Sequence, residues 1–204
     1  MTKAQNVDEY IAMQRQALAG NPECGTTHYN LGVALLGKQQ DDEAEQAFLA
    51  AIDCSPSLAE AYVQLGGLCL KRGDLDGCLD WNNRAVKARP GFSEGYGNIG
   101  FVHMQKGELD EAIKALKRST AFNFRFVQGY TTLATAYLLK GQVDDAIEAC
   151  LNALKAGPDF PVAHNNLAIA YLEKGDREKA REHLQRARDL GYAVAPELLK
   201  ELDR

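Results

Sequence analysis

The chain repeats itself every 34 residues, and a period of that length leaves few architectures open. Set in rows beginning at Gly25, Ala59, Ser93, Val127 and Pro161, its fourth column reads His28, Tyr62, Tyr96, Tyr130, His164. The seventh reads Leu31, Leu65, Ile99, Leu133, Leu167, and the eighth Gly32, Gly66, Gly100, Ala134, Ala168. The twentieth reads Ala44, Cys78, Ala112, Ala146, Ala180, and the twenty-seventh Ala51, Ala85, Ser119, Ala153, Ala187.

Large residues at offsets 4, 7 and 11 and small ones at 3 and 8 recur every three to four residues, so they share one helical stripe. A second stripe runs through offsets 20, 21, 24, 27 and 28, as in Ala146, Ile147, Cys150, Ala153 and Leu154. Between the stripes stand Gly73, Gly107, Gly141 and Gly175, residues suited to the left-handed conformation that ends a helix. Acids follow (Asp74, Asp110 and Glu111, Asp144 and Asp145, Asp176), where a helix N-terminus favours negative charge. Pro56, Pro90 and Pro158 close the second helix of a row. Each row therefore predicts a helix–turn–helix, with small residues letting the two backbones approach closely. The fold class expected is all-α.

Net charge is −5, and the longest basic runs are pairs, Lys71-Arg72 and Lys117-Arg118, so nucleic acid is not expected as a partner. No apolar run reaches the ~20 residues that cross a bilayer, and the polar N-terminus lacks the apolar core of a signal peptide. The expected location is cytoplasmic. Five cysteines form no CxxC and no CxxCH, and read as reduced small hydrophobes.

These residues resemble the tetratricopeptide repeat family, whose fold is a right-handed α-α superhelix of helix–turn–helix repeats. The resemblance divides the chain into a half-repeat helix at 1–24, five repeats (25–58, 59–92, 93–126, 127–160 and 161–194) and a capping helix at 195–204, where Pro196 sits at a helix start. It implies partner binding and little more. Three positions depart from the pattern. Gln39 stands where the turn column has Gly, and a looser cap is expected there; Tyr192 stands where other rows have Pro. Phe124 also replaces Pro, within Phe122-Asn123-Phe124-Arg125-Phe126. Phe126 belongs to the column of Leu58, Phe92 and Phe160 and reads as inter-repeat packing. Phe122 and Phe124 leave two readings open, a locally thickened core and an exposed aromatic anchor.

In proteins resembling this one, offsets 2, 5, 6, 9 and 13 of the first helix line the concave groove of the superhelix. The candidate peptide-binding residues are Tyr29, Asn30, Val33, Gln64, Asn98, Phe101, Thr132, Asn166 and Ile169, with room expected at Gly67 and Gly97. Offsets 2, 5, 6 and 9 hold no Lys or Arg, so the cationic carboxylate clamp of chaperone-binding relatives is not expected. Offset 6 reads Asn30, Gln64, Asn98, Thr132, Asn166, and amides can pair with the backbone of an extended peptide. Glu60, Glu94 and Glu173 bias this face against acidic ligands.

No chemistry converges elsewhere. His28, His103 and His164 occupy core columns, and His183 lies among charged residues and reads as solvated. Cys24 and His28 are four apart, but two ligands do not make a zinc site. No catalytic residue, metal or cofactor is expected. The function expected is a non-catalytic adaptor holding an extended peptide segment of a partner protein. The alternatives are a scaffold self-assembling through its terminal helices and an accessory subunit of a larger complex.

Overall fold

Each break in the hydrophobic pattern is a chain reversal, because its pivotal residue occupies a backbone region that side chains avoid. Gly73, Gly107, Gly141 and Gly175 have φ of 78°, 77°, 73° and 79°, and Gln39 is held at 60° in the same role. The computed structural model of the protein describes residues 6–202, with helices on both sides of every such turn. Residues 1–5 of the expected half-repeat and 203–204 of the expected cap lie outside the described residues.

The helices are α1 (Val7–Gly20), α2 (Gly25–Gly37), α3 (Asp41–Cys54), α4 (Ala59–Lys71), α5 (Leu75–Ala88) and α6 (Ser93–Gln105). They continue as α7 (Leu109–Phe122), α8 (Val127–Leu139), α9 (Val143–Ala156), α10 (Pro161–Glu173), α11 (Arg177–Asp189) and α12 (Pro196–Leu202). Helices α2, α4, α6, α8 and α10 each start on the first residue of a row and run 13 residues. The second helices α3, α5, α7 and α9 run 14, and Val7 of α1 precedes Asp41 of α3 by one period. Asp74 and Asp176 cap their helices by accepting from the backbone N–H of Gly77 and Lys179, and Asn6 does the same for Glu9.

The small residue at offset 8 exists because the residue at offset 24 presses on it. A Cβ on Gly32 would lie 2.6 Å from the Phe48 ring, one on Gly66 2.5 Å from the Asn82 amide nitrogen, and one on Gly100 2.4 Å from Leu116. The same two columns supply Ala134 with Cys150 and Ala168 with Leu184. Water is excluded from this depth in every row: Phe48, Asn82, Leu116 and Cys150 are 0% exposed and Leu184 4%. Asn82 tolerates this burial because its amide donates 2.8 Å to the Cys78 carbonyl.

A second period links successive rows through charge. Lys38 pairs with Asp8, Arg72 with Asp42 at 3.4 Å, Lys140 with Asp110, and Lys174 with Asp144 at 2.5 Å, always 30 residues apart. The acids at the starts of α1, α3, α7 and α9 therefore take a cation from the residue that ends the following first helix, as well as favouring the helix dipole. All are well exposed, so water and salt screen each pair and its contribution to stability is small.

The chain divides into two units, residues 1–95 and 96–204, with the boundary inside α6. The core of the first unit gathers Ile11, Leu35, Phe48, Leu65 and Leu68, with Trp81 packed against it. That of the second gathers Leu116, Leu133, Tyr137, Cys150 and Leu167. A further cluster sets Leu202 of α12 against Ala168, Ala180 and Leu184, where Arg181 also donates 2.7 Å to the Leu202 carbonyl. Among the described residues no helix is long and apolar enough to cross a membrane.

Candidate functional site

Three of the nine expected groove residues converge on one concavity in the first unit. Tyr29, Asn30 and Val33 of α2, with Ala34 and Gly37, face Asn6, Val7 and Tyr10 across an open space of about 530 Å³. The Tyr29 ring leans on Phe48 at 5.8 Å, which fixes it from below. Val33 is 42% exposed, Val7 49% and Tyr10 36%, so the rim is apolar and wet. Helix α1 and its cap residue Asn6 supply three of the eight lining residues, a contribution outside the first-helix pattern that nominated the groove residues.

The other candidates are less uniform. Gln64, Asn98, Phe101 and Ile169 are half-buried. The Thr132 hydroxyl donates 2.8 Å to the Gln128 carbonyl of its own helix. Asn166 is 6% exposed, and its amide donates 3.0 Å to the Thr135 hydroxyl and 3.3 Å to the Thr131 carbonyl on α8. Its N–H groups therefore serve the packing of α10 on α8. Gly67 has open space where a side chain would be, but Gly97 does not: a Cβ there would lie 2.9 Å from the Phe126 ring. The expected room at Gly97 is taken by Phe126, which explains both the missing side chain and the half-buried ring. Glu60, expected to repel acidic ligands, is held by Arg89 at 2.7 Å, which offsets much of its field.

The thiols differ by depth. Burial pushes Cys150 up to about 12 and raises Cys69 and Cys78, leaving three inert hydrophobes. Cys24 is lowered instead, because the Thr27 hydroxyl donates to its sulfur at 3.1 Å, and Cys54 is exposed. These two are not core residues, unlike the small-hydrophobe reading of all five.

The histidines also split. His28 and His103 each have one polar partner, the Pro22 carbonyl at 2.8 Å and the Glu108 carboxylate at 2.6 Å. His183 is not solvated: its Nδ1 meets the Nδ1 of His164 at 3.0 Å, and its ring lies parallel to Tyr171 at 5.6 Å. His164 Nε2 lies 3.3 Å from the Pro158 carbonyl, which only accepts, so that nitrogen carries the proton. His164 Nδ1 then accepts and His183 Nδ1–H donates. The charged neighbours of His183 suggest solvent, but its column also holds Ala47, Trp81, Ala115 and Ala149, and the three alanines are buried. Among the described residues no three His, Cys, Asp or Glu side chains are grouped to hold a metal ion.

A tetratricopeptide repeat family model matches residues 11–59 and 131–193, and a second such model matches 93–124. No curated protein matches the chain significantly. Among solved structures, MamA is similar at 26% identity, covering 78% of this chain and 94% of its own, with a TM-score of 0.67. YrrB, described as a tetratricopeptide protein with an unusual peptide-binding site, is 20% identical over 93% of this chain and 96% of its own, with a TM-score of 0.68. A chain of the APC/C hetero-tetramer Cut9–Hcn1 reaches a TM-score of 0.82 at 18% identity, covering 98% of this chain and 40% of that longer one. At those last two identities the likeness is one of fold alone. With helix pairs recurring at 34 residues and more than half of its length matched by the repeat model, this chain belongs to the tetratricopeptide repeat family.

Proposed function

We propose that this protein is a non-catalytic adaptor that holds an extended segment of a partner protein in the concavity between α1 and α2. The observation that supports this is the exposed apolar rim of Val7, Tyr10 and Val33 around the amide of Asn30. Apolar side chains of a ligand would gain roughly 25 cal/mol per Å² buried there, while the amide orients its backbone. The absence of Lys and Arg at offsets 2, 5, 6 and 9 favours a neutral, apolar or basic segment. The peptide-binding site for which YrrB is described lies on the same fold, which supports the class of ligand and not its sequence. A cytoplasmic location belongs to the same proposal, supported by five cysteines that are all free thiols.

Panning uncharged apolar peptides against the wild-type protein and the Val33→Asp variant tests the reading. Binding should fall about tenfold or more in the variant, where a carboxylate would have to be desolvated. Selected peptides that bind Val33→Asp as well as wild type would remove this face from the mechanism.

A second reading, self-assembly through α1, is favoured by the exposure of Val7 and Tyr10. Sedimentation across a concentration range separates the two: a strict monomer that binds peptide supports the adaptor, and a dimer abolished by Val7→Asp supports assembly.

A further inference from the structure

Between Glu111 and Asp144 the chain carries no acid. Residues 112–143 contain Lys114, Lys117, Arg118, Arg125 and Lys140 and neither Asp nor Glu, in a chain whose net charge is −5. Two of these cations are matched by acids before the gap, Lys114 by Glu111 at 3.3 Å and Lys140 by Asp110. Arg118 and Arg125 instead lie against rings, 4.9 Å from the Tyr96 centroid and 5.7 Å from that of Phe124. Among the described residues neither arginine has a carboxylate partner.

The aromatic residues between them are presented outward. Phe124 is 71% exposed and Phe122 53%, so the extra rings of this junction do not thicken the core. Phe122 stacks on Tyr96 at 5.5 Å, and Phe126 alone turns inward, against Gly97 and Gly129. The loop is held in this shape by Asn123, whose side chain accepts from the Arg125 N–H at 3.0 Å and whose carbonyl accepts from the Phe126 N–H at 3.1 Å. Phe124, Arg125 and Tyr130 then line an open concavity of about 520 Å³ with Asn152, Lys155 and Ala156 of α9. Lys155 has the neutral Asn152 amide as its neighbour, at 3.1 Å.

We infer that this edge of the second unit, formed by the α7–α8 loop and the end of α9, docks an acidic polypeptide segment carrying a large apolar or aromatic residue. The apolar residue packs on Phe124 and Tyr130 in the concavity, and its flanking carboxylates meet Arg125 and Lys155. Charge complementarity selects this occupant: among the described residues no acid pairs with Arg125 or Lys155, so an incoming carboxylate finds both cations available. The preformed loop means that little ordering opposes binding. Two cations are too few to grip a nucleic-acid backbone at physiological salt, where useful affinity requires many phosphates to be neutralised at once. The surface lies on a different set of residues from the α1–α2 concavity and does not depend on it.

Fluorescence anisotropy of a labelled peptide of alternating Glu and Phe tests the inference. Wild type should bind it and discriminate against the matched Lys–Phe peptide. Phe124→Ala should weaken binding about 30-fold, the loss expected of a central aromatic anchor. Arg125→Glu should weaken it further at low salt, and Phe124→Trp should retain it. Failure of wild type to take the acidic peptide, or equal binding by Phe124→Ala, overturns the inference. So does preference for oligothymidine over the peptide, or self-association that Phe124→Ala abolishes in the absence of peptide binding.

Discussion

The Nδ1 atoms of His164 and His183 face each other across 3.0 Å, one accepting and one donating, between α10 and α11. Burial depresses both imidazoles; the neighbouring Arg186 adds to this for His164, and His164 and Lys179 add to it for His183, while Asp159 and Glu182 oppose it. In the unfolded chain both titrate near about 6.5. Below that pH the unfolded chain takes up protons that the folded chain resists, so stability is full above it and falls as pH drops toward the folded values. The urea midpoint should therefore decrease between neutral and mildly acidic pH, and His183→Gln should decrease less. Parallel pH profiles for the two proteins would show that the pair carries no linkage.

Gly66 and Asn82 give a repacking prediction. A Cβ at position 66 would stand 2.5 Å from the Asn82 amide nitrogen, whose side chain is fully buried. Gly66→Ala alone should destabilise the protein by about 1–3 kcal/mol, as overpacking does. The fourth row solves the same contact with Ala134 and Cys150, so Gly66→Ala with Asn82→Cys should recover most of that loss. Equilibrium denaturation of the two single variants and the double variant measures the coupling directly.

Which features are legible in the sequence follows from what repeats. A contact made five times imposes five similar side-chain pairs, so the Gly32–Phe48 and Gly100–Leu116 packing is written in two columns of the sequence. The turn at Gln39 is legible for the same reason, its conformation set by the four glycines of its column. A contact made once leaves no such trace. The columns that hold His164 and His183 also bring Tyr62 against Trp81, but only this row sets two imidazoles there to hydrogen-bond, and the outward turn of Phe124 depends on Asn123, whose amide and carbonyl close one local loop. The groove column is readable as a row of amides but not as a row of roles. Neighbouring helices decide whether an amide is open, as at Asn30, or enclosed, as at Asn166. The contribution of α1 escapes the pattern because Val7 and Tyr10 sit in second-helix phase, where packing is expected.

Gln39 holds φ at 60°, the conformation in which a side chain costs about 1 kcal/mol or more relative to glycine. Gln39→Gly should raise stability by about 0.5–1 kcal/mol, the unfolded chain's added freedom offsetting part of the relief. The reverse change at Gly141, where φ is 73°, should lower it by a similar amount. Thermal melts of both variants check the pair, and a neutral Gln39→Gly would mean that the exposed amide compensates locally.

Asn30 and Asn166 occupy the same offset and should answer differently to the same substitution. Asn166 is 6% exposed, and its amide donates to the Thr135 hydroxyl and the Thr131 carbonyl, so Asn166→Ala removes two hydrogen bonds between α10 and α8, although the Thr131 carbonyl keeps the Thr135 hydroxyl as a donor. A loss of about 1–3 kcal/mol in stability is expected. Asn30 is half-buried on the rim of the α1–α2 concavity, and Asn30→Ala should leave the denaturation midpoint nearly unchanged while weakening a bound peptide. The weakening should be about threefold to tenfold, the worth of one net hydrogen bond. Measuring stability and peptide affinity on both variants distinguishes the two roles: an amide that matters to folding loses stability first, and one that matters to recognition loses affinity alone. Equal stability losses at both positions would assign the whole column to packing.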